Sequence, residues 1–70
     1  MITHKEIQKI DLVPPYQRVT IRLIAENDED QQAILNGGEA IDEYIKYHFN
    51  LVVVEDARPP IYILKTQVSL

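Results

Sequence analysis

The chain has 70 residues, of which 46% are hydrophobic and 26% charged; its formal net charge is −4 and it contains no cysteine. This hydrophobic content excludes an intrinsically disordered chain, and the length predicts one small domain, residues 1–70, without a large internal cavity. The absence of cysteine excludes disulfides and thiolate zinc sites, so packing within the chain or across subunits must supply the stability. No segment approaches the roughly 20 apolar residues of a membrane span, and residues 1–10 lack the apolar segment of a secretory signal. We therefore expect a cytoplasmic protein that does not contact membranes.

The N-terminal part contains one clear strand and one ambiguous segment. Residues 18–25 alternate between apolar and polar side chains, which predicts a half-buried strand. Its apolar side carries Val19, Ile21 and Leu23, and its polar side carries Arg18, Thr20 and Arg22. In residues 2–13, Thr3 and Glu6 fit the capping box of a short helix, whereas the same segment can pair as a strand with residues 18–25 across a proline turn. We favour the strand.

Two helices are expected on either side of the Gly37-Gly38 pair. Residues 39–49 repeat side chains at the spacing of one helix face, namely Ile41, Tyr44, Ile45 and His48. Acidic residues lie near the start of this segment and basic residues near its end, which is the order that the helix dipole favours. The pattern of residues 28–36 predicts a second, shorter helix, capped by Asp28 and closed by Gly37.

The C-terminal part predicts two further strands. Residues 51–55 and 61–68 are rich in β-branched side chains, and "DARPP" between them is expected to form a hairpin loop longer than two residues. The fold class that results is α+β, with a small antiparallel or mixed sheet of three to four strands and one main helix. The element order is β-β-α-β-β, or β-α-β-β if the N-terminal segment is not a strand.

The two C-terminal strands are apolar in both directions. Val52 and Val54 point opposite to Leu51 and Val53, and residues 61–64 repeat this arrangement, so one or two helices can cover only one face of the sheet. An uncovered apolar face of this kind marks an interaction site. We place the partner interface at Val52, Val54, Ile61 and Ile63, or at the opposite set. Either the N-terminal segment, a second copy or a different protein must cover it.

These observations indicate a protein that is not an enzyme and whose activity is protein association. We expect a small regulatory or inhibitory binder that acts as a homodimer or with a protein partner. The negative net charge disfavours binding to nucleic acid in general. The alternative is a DNA-binding regulator, because Arg18, Thr20 and Arg22 on one strand, followed by two helices through residue 49, resemble the ribbon-helix-helix repressors. That resemblance implies that these three side chains contact the major groove.

Three other patterns give no site. Pro59-Pro60-Ile61-Tyr62 resembles a ligand of WW domains, but the strand that continues from Ile61 favours a Tyr62 ring packed in the sheet. Residues 28–39 resemble part of a calcium-binding EF-hand loop, yet Ala33 occupies the position that needs glycine. His4, His48 and the sole serine, Ser69, have no neighbours in sequence that would form a catalytic group. We therefore predict no catalytic residue, no metal site and no cofactor.

Overall fold

The computed structural model describes residues 1–68, which form four strands and two helices. Their bounds are β1 Ile2–Asp11, β2 Tyr16–Ala25, α1 Asp28–Asn36, α2 Glu39–His48, β3 Val53–Arg58 and β4 Ile61–Gln67. The strands make one sheet in the order β1-β2-β4-β3, and every neighbouring pair is antiparallel. This architecture confirms the predicted α+β class and the strand interpretation of the N-terminal segment. Within the described residues, neither helix has the length and apolar character that crossing a membrane requires.

The two helices follow one another with almost no connection, because the chain supplies a cap and two glycines at the right places. The helix α1 begins after Asn27, whose Oδ1 accepts the Asp30 N–H at 2.8 Å. Asn27 is therefore the N-cap, and the prediction of Asp28 was wrong by one residue. At the other end, Gly37 has φ of +65°, and its N–H donates to the carbonyls of Ala33 and Ile34. A left-handed φ at this point favours glycine and lets α2 begin directly afterwards.

The core lies between the helices and one face of the sheet. Its buried hydrophobic residues are Val19, Ile21, Leu23, Ile34, Ile41, Ile45, Tyr62 and Leu64. The strand β2 contributes the three residues that the alternating pattern predicted. The helix α2 contributes two neighbours on one helix face, whereas α1 is held by Ile34 alone among its buried residues. Both helices therefore pack on the same side of the sheet.

The strand β3 lies at an edge of the sheet and changes face at a β-bulge. Its pairing with β4 shifts at Glu55, so that Val53 is opposite Lys65 and Val54 is opposite Leu64. Leu64 is fully buried in the core, which assigns Val54 to the helix side of the sheet. The connection from β3 to β4 consists of Pro59 and Pro60 alone, because Arg58 already pairs with Ile61. The longer loop predicted here was wrong.

Candidate functional site

The face of the sheet opposite the helices is the main candidate for a functional surface, and we call it the open face. Directly opposed residues of antiparallel strands share a face, so the outward residues of β1, β2, β4 and β3 line up in three rows across the sheet. Along β2 and β4, successive rows are two residues apart, or about 6.8 Å. Within residues 1–68, both helices and the whole core lie on the other side.

The first row is cationic. Lys5 of β1 is opposite Arg22 of β2, Arg22 is opposite Ile61 of β4, and Ile61 is opposite Arg58 of β3. The three cations are exposed, while Ile61 between them is half-buried. Arg58 lies 3.4 Å from the Asp56 carboxylate, whereas Lys5 and Arg22 have no ion-pair partner among residues 1–68. The cationic row therefore has cations on both sides of an aliphatic side chain, and those on the β1 and β2 side, Lys5 and Arg22, are not neutralised within residues 1–68.

The middle row contains Gln8, Thr20, Ile63 and Asp56, in the order of the strands. Thr20 and Ile63 are half-buried and lie at the centre of the sheet. The row has a single charged member, at the β3 edge. It therefore separates the cationic row from the third row by a mixed polar and aliphatic strip.

The third row is partly neutralised by an ion pair. It contains Ile10, Arg18, Lys65 and Val53. The bulged Glu55 reaches back to this row, where its Oε1 accepts the Arg18 Nε–H at 2.8 Å. This hydrogen bond holds the pKa of the Glu55 carboxyl below its usual range and raises the pKa of the Arg18 guanidinium. Arg18 is therefore engaged within the chain, unlike Lys5 and Arg22.

Apolar side chains are exposed around these rows. Four on the open face are exposed by 41% to 60% of their surface, namely Ile10, Tyr16, Ile24 and Val53. The Tyr16 ring is covered on one side by the Lys65 ammonium, which lies 4.7 Å from the ring centroid. Such a mixture of exposed aliphatic groups and cations is typical of a surface that contacts another molecule.

The structure brings part of the predicted partner interface next to the predicted DNA-contacting residues, and it separates the other part. Arg22 is opposite Ile61 and Thr20 is opposite Ile63, so residues predicted for separate functions share the centre of the open face. Arg18 lies one row further on. Val52 instead packs against the core before β3 begins, and Val54 faces the helix side because of the bulge at Glu55. The predicted quartet is thus split between the two faces of the sheet.

The resemblance to ribbon-helix-helix repressors does not extend to the pairing of the strand. In that family the reading strand pairs with the same strand of a second subunit. Here β2 is hydrogen-bonded to β1 on one side and to β4 on the other. Because neither edge of β2 is free, Arg18, Thr20 and Arg22 cannot form that intermolecular ribbon.

Charge is strongly segregated between the two sides of the molecule. Five of the seven Lys and Arg residues belong to the open face, whereas only two of the eleven acids, Glu55 and Asp56, do so. The remaining acids are concentrated in α1, in α2, in the connection before α1 and on the helix side of β1. A net negative chain therefore has one positive face, which the total charge did not reveal.

An aromatic cluster on the helix side of the sheet was not predicted from the sequence. The His4 Nδ1 is 2.7 Å from the Tyr44 hydroxyl oxygen, and the His4 ring is 5.1 Å from the His48 ring and 5.3 Å from the Phe49 ring. Burial, and then the proximity of His48, hold the pKa of His4 below its usual range. The cluster ties β1 to α2. The alternation of Ile2, His4 and Glu6 was the available signal, since it puts His4 on the helix side of a strand.

The WW-ligand motif and the calcium-like window do not form functional sites within residues 1–68. Tyr62 is 4% exposed, so its ring is not displayed as the ligand of a WW domain would be. The calcium-like window lies largely within α1 rather than in a loop. No group of three His, Asp or Glu side chains in residues 1–68 is arranged to hold a metal ion. Ser69 lies outside the described residues.

Comparison with protein-family models, with curated proteins and with solved structures finds no match to this chain.

Proposed function

We propose that this protein is a non-enzymatic association module whose open face binds another protein molecule, as expected for a small regulatory or inhibitory binder. The observation that carries the proposal is the position of Ile61 and Ile63 at the centre of a sheet face that residues 1–68 leave uncovered. The N-terminal segment, one of the three candidates to cover the apolar strands, is itself the edge strand β1. A second copy or a different protein remains.

Four apolar side chains on the open face are partly exposed, and their burial by a partner would stabilise the complex. Burying an aliphatic or aromatic side chain of this size contributes about 1.5–3 kcal/mol. Ile10, Ile24 and Tyr16 are each 41% exposed and Val53 is 60% exposed, so a partner that covers them contributes about 1 kcal/mol for each. Together with Ile61 and Ile63, these four side chains could form the apolar core of a small interface.

DNA binding remains the second candidate function, because the cations of the chain are concentrated on the open face. It would use Arg18, Thr20 and Arg22 through a mode other than a shared ribbon of strands. Against it, the Glu55 carboxylate already neutralises Arg18, and Asp56 adds a second acid to the same face. Phosphate groups are repelled by such acids. Protein association is the function that the surface supports better.

Site-specific photo-cross-linking tests the location of the interface. A benzophenone amino acid replaces Thr20 at the centre of the open face or, in the matched control, Gln32 on the exposed side of α1. We expect a discrete covalent adduct from position 20 and none from position 32, either with the chain purified alone or after its addition to an extract of the cells in which it naturally occurs. An adduct of twice the chain mass indicates a second copy, and another discrete mass indicates a different protein. Adducts from position 32 alone, or from neither position, would overturn the proposal.

A further inference from the structure

The inference concerns the chemistry of the partner and rests on the proposed function of the open face. We propose that the open face binds an acidic segment of a different protein, one that carries apolar side chains between its carboxylates. The carboxylates would meet the cationic row of Lys5, Arg22 and Arg58, and an apolar side chain would pack against Ile61 between them. Charge complementarity and the order of residues in that row carry the argument.

The cationic row has the spacing that such a segment needs. Lys5 and Arg22 are on adjacent strands, about 4.8 Å apart, and Arg58 is two strands beyond Arg22, about 10 Å away. Ile61 occupies the gap. Arg22 offers a planar guanidinium that can bind a carboxylate through two parallel hydrogen bonds. Since Lys5 and Arg22 have no carboxylate partner within residues 1–68, binding an acidic segment breaks no ion pair at these two positions.

A second copy of the chain fits this surface poorly. Two open faces packed against each other would bring five cations of one copy against five of the other, with only Glu55 and Asp56 from each to offset them. Packing the open face on the acidic helix side of another copy would match the charges. That contact is head-to-tail, so it builds a ring or an open-ended stack rather than a symmetric dimer.

Single-stranded nucleic acid also fits less well than an acidic polypeptide. Surfaces that bind single strands combine cations with several exposed aromatic rings on which the bases stack. Among residues 1–68, the open face has one aromatic ring, that of Tyr16, and the Lys65 ammonium already lies over it. Its other apolar groups are aliphatic. An apolar side chain of a polypeptide packs on such groups, whereas a base gains little from them.

Two charge-reversed variants with the same net charge test the proposal. Lys5→Glu with Arg22→Glu reverses the cationic row, and Lys9→Glu with Lys46→Glu reverses two cations on the helix side of the molecule. Both lower the net charge by the same amount, so general repulsion of an acidic probe is equal in the two proteins. The probe is a fluorescent random copolymer of glutamate and tyrosine, and fluorescence anisotropy measures its binding. A lysine–tyrosine copolymer and a single-stranded oligothymidylate are measured in parallel.

We expect the wild-type chain to bind the glutamate–tyrosine copolymer. The acidic helix side attracts the lysine–tyrosine copolymer, so its binding should not weaken in the Lys5/Arg22 variant. The Lys5/Arg22 variant should bind at least tenfold more weakly, whereas the Lys9/Lys46 variant should stay within about twofold of the wild type. Circular dichroism checks that each variant is folded. Raising the salt concentration from about 0.1 M to about 1 M shortens the screening length from about 10 Å to about 3 Å and should weaken binding.

Four results would overturn the inference. They are no binding of the glutamate–tyrosine copolymer, equal losses in the two variants, tighter binding of the oligothymidylate through the same row, and a dimer in sedimentation equilibrium that the Lys5/Arg22 variant abolishes. The proposed function is judged separately by the adduct at position 20. If that adduct forms and persists in the Lys5/Arg22 variant, the open face is an interface and only the partner chemistry is wrong. If no adduct forms at position 20, the proposed function itself fails.

Discussion

The attachment of α1 to the sheet gives a sharp test of the packing, because most of its burial comes from one side chain. Ile34 is fully buried and is the buried residue of α1, while the adjacent Leu35 is 48% exposed. A helix of nine residues is marginal in isolation, so α1 depends on this contact. Replacing Ile34 by alanine removes the packed side chain and leaves a cavity between α1 and β2.

The expected cost is large relative to the stability of the protein. Truncating a buried isoleucine to alanine costs about 2–5 kcal/mol, whereas a domain of this length has about 4–10 kcal/mol in total. We expect Ile34→Ala to lower the free energy of unfolding by about 3 kcal/mol. With a urea dependence of about 1 kcal/mol per M, the unfolding midpoint would fall by about 3 M, or the variant would be unfolded without urea.

Leu35→Ala is the matched control for this measurement. It removes an aliphatic side chain from the same helix turn, and alanine favours a helix at both positions, so only the difference in burial separates the two variants. Urea unfolding followed by circular dichroism should show a loss of at most about 1 kcal/mol for Leu35→Ala, because only about half of this side chain is buried. Equal losses in the two variants, or a loss below about 1 kcal/mol for Ile34→Ala, would refute the described packing of α1.

Three further predictions concern His4, the N-cap of α1 and the N-cap of α2. His4 has its pKa below the ordinary 6.5 in the folded chain, so the unfolded chain takes up this proton first. The free energy of unfolding should fall as the pH drops through 6.5 and level off below the folded pKa. Urea unfolding of the wild type and of His4→Phe at several pH values should show this loss in the wild type only. The same dependence of stability on pH in both proteins would contradict the prediction. Gly38→Ala should lower the free energy of unfolding by about 1–3 kcal/mol, because φ at this position is +93°. No atom lies within 4 Å of the added Cβ, so the loss would come from backbone strain and not from a steric clash; an unchanged thermal midpoint would exclude this strain. Asn27→Ala should cost about 1 kcal/mol through the lost cap of α1, while Asn36→Ala in the last turn should cost less, and the reverse order would assign the cap elsewhere.

The sequence by itself determined the inner face of β2 and the boundary between the two helices. Alternation in residues 18–25 places three apolar side chains inward and Arg18, Thr20 and Arg22 outward, and the structure agrees because a strand repeats every two residues. The glycine pair likewise fixed the boundary between two helices, since a backbone with positive φ is a local property of those residues.

The tertiary structure decided which residues share the open face. Strand order is non-local, and the sequence contained no signal that β4 would lie between β2 and β3. The bulge at Glu55 reverses the faces of β3, so Val53 joins Ile61 and Ile63 on the open face while Val54 turns to the helix side. A shift of one residue exchanges every side chain between the faces of a strand, and only the pairing with β4 reveals it.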